Sequence, residues 1–154
     1  MKNVPVKSRG FTLLEVLIAV VVLSIGLLGI ASLQAVGQRS NHSAYLRSQA
    51  TALAYDMIDR MRANMVGVQG GSYNAIDTTA GSYTDPGCAS GTTCSAAQMA
   101  QYDMYDWQQE LSTQLPSGNG TVAGTGAGSV FTVTVMWDDD RNGTLKSFTV
   151  SSKI

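Results

Sequence analysis

The sequence predicts an α+β fold in which one long N-terminal helix packs on a small antiparallel sheet, with one additional short helix. Three observations carry this expectation. No proline interrupts residues 11–85, and an apolar run from Phe11 to Leu33 passes into a stripe of apolar residues at three- and four-residue steps. A second helical pattern occupies residues 96–115 and stops at Pro116. The chain then ends in two alternating segments flanking Asn142-Gly143, a strong hairpin signal.

The first element is the apolar run. Of the 23 residues from Phe11 to Leu33, only Thr12, Glu15, Ser24 and Ser32 are distinctly polar. About 20 apolar residues suffice for a helix to cross a hydrocarbon core of roughly 30 Å. Lys2, Lys7 and Arg9 precede the run and no acid does, which predicts a single-pass anchor with its N-terminus in the cytoplasm and the rest of the chain across the membrane. A secretory signal peptide is one alternative, since Ala35-Val36-Gly37 has a small-x-small form. Its apolar region is typically about 7–15 residues, however, and this one is longer and carries an acid near its start. A plain signal anchor meets the length but leaves Glu15 unexplained. An ionisable group inside a membrane segment costs roughly 2.5–3.5 kcal/mol on insertion scales and is read as functional by default.

Gly10-Phe11-Thr12-Leu13-Leu14-Glu15, after a short basic leader, resembles the class III signal of type IV pilins and pseudopilins. The resemblance implies that a prepilin peptidase cuts after Gly10, the last leader residue, and N-methylates Phe11. It implies that Glu15, the fifth mature residue, is an assembly contact paired with the terminal amine of a neighbouring subunit. An acid in a low-dielectric site is stabilised mainly by such a cation. Ser24-Ile25-Gly26-Leu27-Leu28-Gly29, Asn41 to Ala50 and Ala54 to Asn64 are similar to the PilV group of minor pilins. So are the cysteine pair Cys88/Cys94, Tyr105-Asp106-Trp107 and the strand Val133 to Trp137. This likeness implies the pilin fold. It also implies location in the bacterial inner membrane and then in the filament at the cell surface. The implied partners are other minor pilins, the major pilin, the prepilin peptidase and the inner-membrane pilus assembly machinery. The expected function is to help initiate or cap pilus assembly, supporting twitching motility and adhesion.

The domain organisation follows as a leader (1–10, removed), a transmembrane or filament-core helix half (11–33), an amphipathic half (34–66) and a periplasmic globular head (67–154). Residues 32–154 carry seven Lys/Arg against ten Asp/Glu. That net acidic balance gives no electrostatic footprint for nucleic acid, and none is expected as a partner. In the helix, Leu46, Ala50, Leu53, Ala54, Met57, Ile58, Met61 and Met65 form the apolar stripe, with Arg47, Thr51, Asp56, Asp59, Arg60 and Asn64 largely opposite. Asp56/Arg60 and Asp59/Arg62 have ion-pair spacing, each adding a few tenths of a kcal/mol. A single helix from about Phe11 to Met65 would be roughly 80 Å long. Gly26 and Gly29 each cost about 1 kcal/mol relative to alanine; close helix packing and local melting within a filament both account for them.

Residues 67–95 are rich in Gly, Ser and Thr and read as turns with short strands. Cys88 and Cys94 lie within them, and two cysteines in an exported chain read as a disulfide that contributes roughly 2 kcal/mol over so short a loop. Ser95 is a suitable N-cap for the second helix, whose buried stripe is Ala100, Met104, Trp107, Leu111 and Leu115. The glycine-rich link from Gly118 to Gly128 reads as a flexible turn; without a following lysine it is no phosphate loop. In the final hairpin Phe131, Val133, Val135 and Trp137 share the inner face, with Phe148 and Val150 inward on the partner strand. The turn from Asp138 to Gly143 matches the first half of a calcium loop, but Thr149 stands where the bidentate glutamate belongs, which favours a plain hairpin.

No enzyme emerges, and no cofactor is expected. The chain has one histidine, and its acids are scattered over helix faces and the hairpin turn. A type II secretion minor pseudopilin shares the N-terminal pattern and stands as the near alternative. A membrane-anchored periplasmic binding protein that does not assemble is the alternative from another class.

Overall fold

The structure, a computed structural model, describes residues 10–90, 93–140 and 142–154. The leader residues Lys2, Lys7 and Arg9, loop residue Gly91 and turn residue Arg141 lie outside these. The elements are α1 (Leu13–Ala63), α2 (Met65–Gln69), β1 (Ala75–Asp77), a 3-10 turn (Cys88–Ser90), α3 (Ala96–Gln114), β2 (Asn119–Ala123), β3 (Val130–Trp137) and β4 (Lys146–Lys153). A long N-terminal helix, a small antiparallel sheet and short additional helices make up the α+β pilin architecture that the sequence predicts.

The start of α1 is set by Thr12, whose hydroxyl accepts the Glu15 N–H at 3.3 Å while its carbonyl accepts the same N–H and that of Val16. This is the N-cap role of a short hydroxyl side chain, with a carboxylate favourably placed near the positive helix end. The helix ends at Ala63 because Asn64 leaves helical geometry, at φ −112° and ψ 57°, and caps α2 through its side chain. Met65, expected on the buried stripe of α1, therefore belongs to α2 and is 37% exposed.

The chain divides into two compact units, one ending at His42 and one formed by Ser43–Ile154. Every described residue of the first unit is exposed within the chain, including Phe11, Leu17, Val22 and Leu28. The segment is long and apolar enough to cross a membrane, and it has no internal core. The packing boundary at His42/Ser43 lies well before the compositional boundary after residue 66, so the second part of α1 belongs to the folded head.

That head has one hydrophobic core. Leu46, Ala50, Leu53, Ala54, Met57, Ile58 and Met61 of α1 meet Ala100, Trp107 and Leu111 of α3, together with Ile76, Val122, Phe131, Val133, Val135 and Trp137 of the sheet. Met104, Phe148 and Val150, expected inside, pack against this core while remaining partly exposed. The described strands form an antiparallel meander in the order β1-β2-β3-β4. β3 alternates strictly, its odd residues from Phe131 to Trp137 buried. On the opposite face, Thr132–Ser151 and Thr134–Thr149 form cross-strand hydroxyl pairs at 3.0 and 3.1 Å. A sheet apolar on one face and hydroxylated on the other needs helices on one side only.

One strand corrects the sequence reading. The link expected as a flexible turn from Gly118 to Gly128 begins with β2, which pairs with both β1 and β3. Val122 is its one large apolar residue, so the two-residue period barely registers. Gly120 is required there: a Cβ would run into the six-membered ring of Trp107. The Trp107 indole in turn donates to the Leu53 carbonyl at 2.9 Å, joining α3 to α1 beneath the sheet.

Candidate assembly site

The N-terminal segment presents Gly10 and Phe11 before the first helical turn, with Phe11 82% exposed. Glu15 follows within that turn. With Phe11, Val16, Ala19, Val20 and Leu23 it lines an otherwise apolar groove. Among the described residues the Glu15 carboxylate has no hydrogen-bond or ion-pair partner, although its backbone N–H is capped by Thr12. Gly26 and Gly29 have no neighbouring atoms within 4 Å of a prospective Cβ.

Several charged groups of the head are satisfied internally. Arg60, with its side chain 18% exposed, donates to Asp56 at 2.6 Å, Asp106 at 2.7 Å and Glu110 at 3.3 Å. Burial pulls the guanidinium pKa down, but the hydrogen bonds to Asp106 and Asp56 outweigh it, and Arg60 stays charged above its ordinary range. Sequence spacing reveals the Asp56 and Asp59/Arg62 pairs, both present, but not the α3 acids that complete the Arg60 cluster. Asp106 and Glu110 share a face of α3, which was the available signal. Nearby, the Tyr73 hydroxyl donates to Asp103 and accepts from the Asn64 amide at 3.0 Å. Asn64 also donates to the Ala96 carbonyl at 2.7 Å. Burial pushes the Asp103 carboxyl up, against the opposing pull of Tyr73 and Arg60. Arg60 and Asn64 are thus half-buried connectors between α1 and α3 rather than members of a solvated face.

Cys88 and Cys94 are joined by a disulfide with Cα atoms 5.8 Å apart. Directly after it, the Ser95 hydroxyl accepts the Gln98 N–H at 3.3 Å, and the Gln98 side chain accepts the Ser95 N–H at 3.0 Å, completing a capping box for α3. In the hairpin turn, Asp138 accepts the N–H groups of Asn142 and Gly143 at 3.1 and 2.8 Å, so its oxygens organise the turn backbone. Among the described residues no three His, Cys, Asp or Glu side chains are grouped to hold a metal ion.

Comparison with known families gives two adjoining matches. Residues 6–31 match the prokaryotic N-terminal methylation motif, and residues 32–105 match the family described as type IV pilin Tt1218. Neither the curated proteins nor the solved structures yield a match to this chain. The methylation motif on an exposed apolar helix fits a membrane-anchored subunit that prepilin peptidase processes and that assembles into pili, a structural rather than an enzymatic role. The two matches together span residues 6–105, and the chain belongs to the type IV pilins.

Proposed function

We propose that the chain is a minor pilin of the PilV type, which helps initiate or cap pilus assembly with other minor pilins and the major pilin at the inner-membrane assembly machinery. Residues 1–10 act as the cytoplasmic leader, and prepilin peptidase cuts between Gly10 and Phe11 and methylates Phe11. Residues 11–33 first span the inner membrane and then enter the filament core. Residues 34–66 carry the helix from this segment to residues 67–154 of the periplasmic head, packing into that head from Ser43 onward, and the head is stapled by Cys88–Cys94. Twitching motility and adhesion are the processes it serves.

The observation that carries this reading is Glu15, a carboxylate without a partner among the described residues, in the first turn of a helix whose apolar first part, as far as His42, is exposed throughout. Cleavage after Gly10 creates an ammonium at Phe11, and the Phe11 ammonium of a neighbouring subunit supplies the charge that Glu15 lacks. Breaking a desolvated pair of this kind costs about 3–5 kcal/mol.

Glu15→Ala tests the proposal. The variant is expected to be cleaved and methylated normally, with mass spectrometry giving a peptide that begins at monomethylated Phe11. Its amount in sheared filaments should fall at least about tenfold. Normal entry into filaments overturns the pairing model, and a mature terminus at Gln38 would restore a secretory signal. Loss of twitching with exoprotein secretion intact separates the pilus role from that of a type II secretion pseudopilin. Absence of the wild-type chain from sheared filaments would favour a non-assembling anchored binding protein.

A further inference from the structure

The described sheet has two edges, and only one of them is closed. At the first, β1 is three residues long, and the outward Asp77 N–H is taken by the Tyr83 hydroxyl at 3.2 Å. At the other, β4 runs eight residues in unbroken register with β3. Ile154 continues that ladder, its N–H donating to the Ser129 carbonyl at 3.2 Å. Alternation then turns the backbone groups of Ser152, Val150 and Phe148 toward β3 and those of Ser147, Thr149 and Ser151 outward. Among the described residues these outward groups have no partner. A short strand, a proline, a bulge or a covering segment normally blunts a sheet edge, and β4 has none of these.

The side chains of β4 are equally incomplete. Phe148 and Val150 stand on the core face yet stay partly exposed, whereas Val135 and Val133, their partners across the ladder, are fully buried. On the outer face Thr149 and Ser151 extend the hydroxyl rows begun by Thr134 and Thr132. Lys146 is met by Asp139, but Lys153 is exposed and has no ion-pair partner among the described residues. The strand also has a fixed direction. Lys146 at its start shares Asp139 with Ser43 of α1, and Ser152 near its end accepts from Arg62 at 2.9 Å. β4 and the head part of α1 therefore run the same way. Two β4 edges paired antiparallel would point their α1 helices in opposite directions, which subunits anchored in one membrane do not allow.

We propose that β4 accepts an added strand from another pilin subunit, running antiparallel to β4. The donor is an extended segment other than that subunit's own β4. It carries apolar residues at alternate positions beside Phe148 and Val150, polar residues beside Thr149 and Ser151, and an acid opposite Lys153. Main-chain bonds to Ser147, Thr149 and Ser151 hold it, and the alternation selects it. The donor's identity rests on the assembly of this chain with other pilins; the open edge does not.

Amide hydrogen exchange of the full chain in detergent, read by NMR, tests the edge. The amides of Thr149 and Ser151 are expected to exchange fast, and those of Phe148 and Val150 slowly. The probe is a peptide as long as β4, with a glutamate first and then alternating valine and threonine. It should protect Thr149 and Ser151 saturably, while a peptide of the same composition with its valines grouped together does not. Thr149→Pro and Ser151→Pro each remove an outward N–H and keep the ladder to β3, so peptide affinity should fall about tenfold or more. Thr149→Val loses only the hydroxyl and should keep it. In cells, Thr149→Pro should be processed normally yet fall at least about tenfold in sheared filaments relative to Thr149→Val. Slow exchange of the outward amides in the free chain, no protection by the alternating peptide, equal protection by the grouped one, or unchanged affinity in the proline variants overturns the open edge. Peptide protection combined with normal filament entry of Thr149→Pro overturns the pilin donor. Absence of the wild-type chain from filaments overturns the assembly reading and the pilin donor with it, while the peptide result still decides the edge.

Discussion

Gly120→Ala is the smallest substitution that should disrupt the head. Gly120 sits in β2 opposite Val135, where its N–H donates to Thr78 Oγ1 at 2.8 Å and its carbonyl accepts the Thr78 N–H at 3.0 Å. Its φ lies outside the left-handed region, so alanine is compatible with the backbone and the penalty is steric. The added methyl would overlap the Trp107 ring, with ring carbons Cζ3 and Cζ2 only 2.8 and 2.9 Å away. Trp107 is fully buried, and retreat would stretch its bond to Leu53. Overpacking of this kind costs about 1–3 kcal/mol, and a weakened buried hydrogen bond adds about 0.5–1.5. Reduced freedom of the unfolded chain returns about 0.4–1 kcal/mol. The net expectation is about 2 kcal/mol, or a melting-point drop of roughly 10 °C for a domain near 100 residues. Near-ultraviolet circular dichroism of the full chain in detergent follows the tryptophan environment directly. Trp107→Phe in the Gly120→Ala background should cost less than Trp107→Phe alone, because the smaller ring relieves the overlap. A melting-point change below about 2 °C, or strictly additive effects in the double variant, would refute the packing argument.

Two further predictions concern charge. Asp103 has a folded-state pKa raised by burial, so its contribution to stability is complete below the unfolded value of about 3.9 and is lost as pH rises through the folded value. Asp103→Asn keeps an oxygen to accept the Tyr73 hydroxyl and removes that loss; urea denaturation should show a shallower decline in stability with rising pH. An unchanged or steeper decline would contradict it. Arg60→Met keeps the apolar stem but leaves Asp56, Asp106 and Glu110 facing one another. The acids are a third or more exposed, so the cost is set between that of exposed and buried pairs, at about 2 kcal/mol at pH 7. It should shrink as pH falls and the crowded carboxylates take up protons. A pH-independent cost in the same denaturation series would show that the cluster is not electrostatic.

Local patterns were legible in the sequence because their causes are local. The α1 stripe from Leu46 to Met61, the Ser95 cap, the alternation in β3 and the Asn-Gly turn depend on residues within a few positions of one another. The pattern Gly10, Phe11, Glu15 was equally legible, as a spacing. β2 was not, because glycine under Trp107 removes the side chain that would have marked a strand. Nor was the end of α1, where Met65 continues the apolar period but Asn64 turns aside to bond Tyr73 and Ala96. The Arg60 cluster joins residues 46 and 50 positions apart, and the groove beside Trp137 draws on α1, β3 and β4. No window along the chain contains either.

The two units differ in how they treat charge, and this difference points outward from the chain. In the head, Arg60 is met by three carboxylates, Asp103 by Tyr73, and Asp139 by Ser43 and Lys146. The described N-terminal unit satisfies its helix backbone and uses the hydroxyls of Thr12, Ser24 and Ser32 in hydrogen bonds, but it buries none of its side chains. Its Val, Leu and Ile side chains are exposed, each forgoing about 1.5–3 kcal/mol of burial, and Glu15 has no described partner. Lipid or neighbouring helices can satisfy the apolar surface, but lipid cannot satisfy the carboxylate. On the proposed reading, only a chain already cut at Gly10 brings the Phe11 ammonium that can. The uncompensated acid therefore makes lateral packing of processed subunits more favourable than residence in the bilayer, and it penalises a neighbour that still carries its leader.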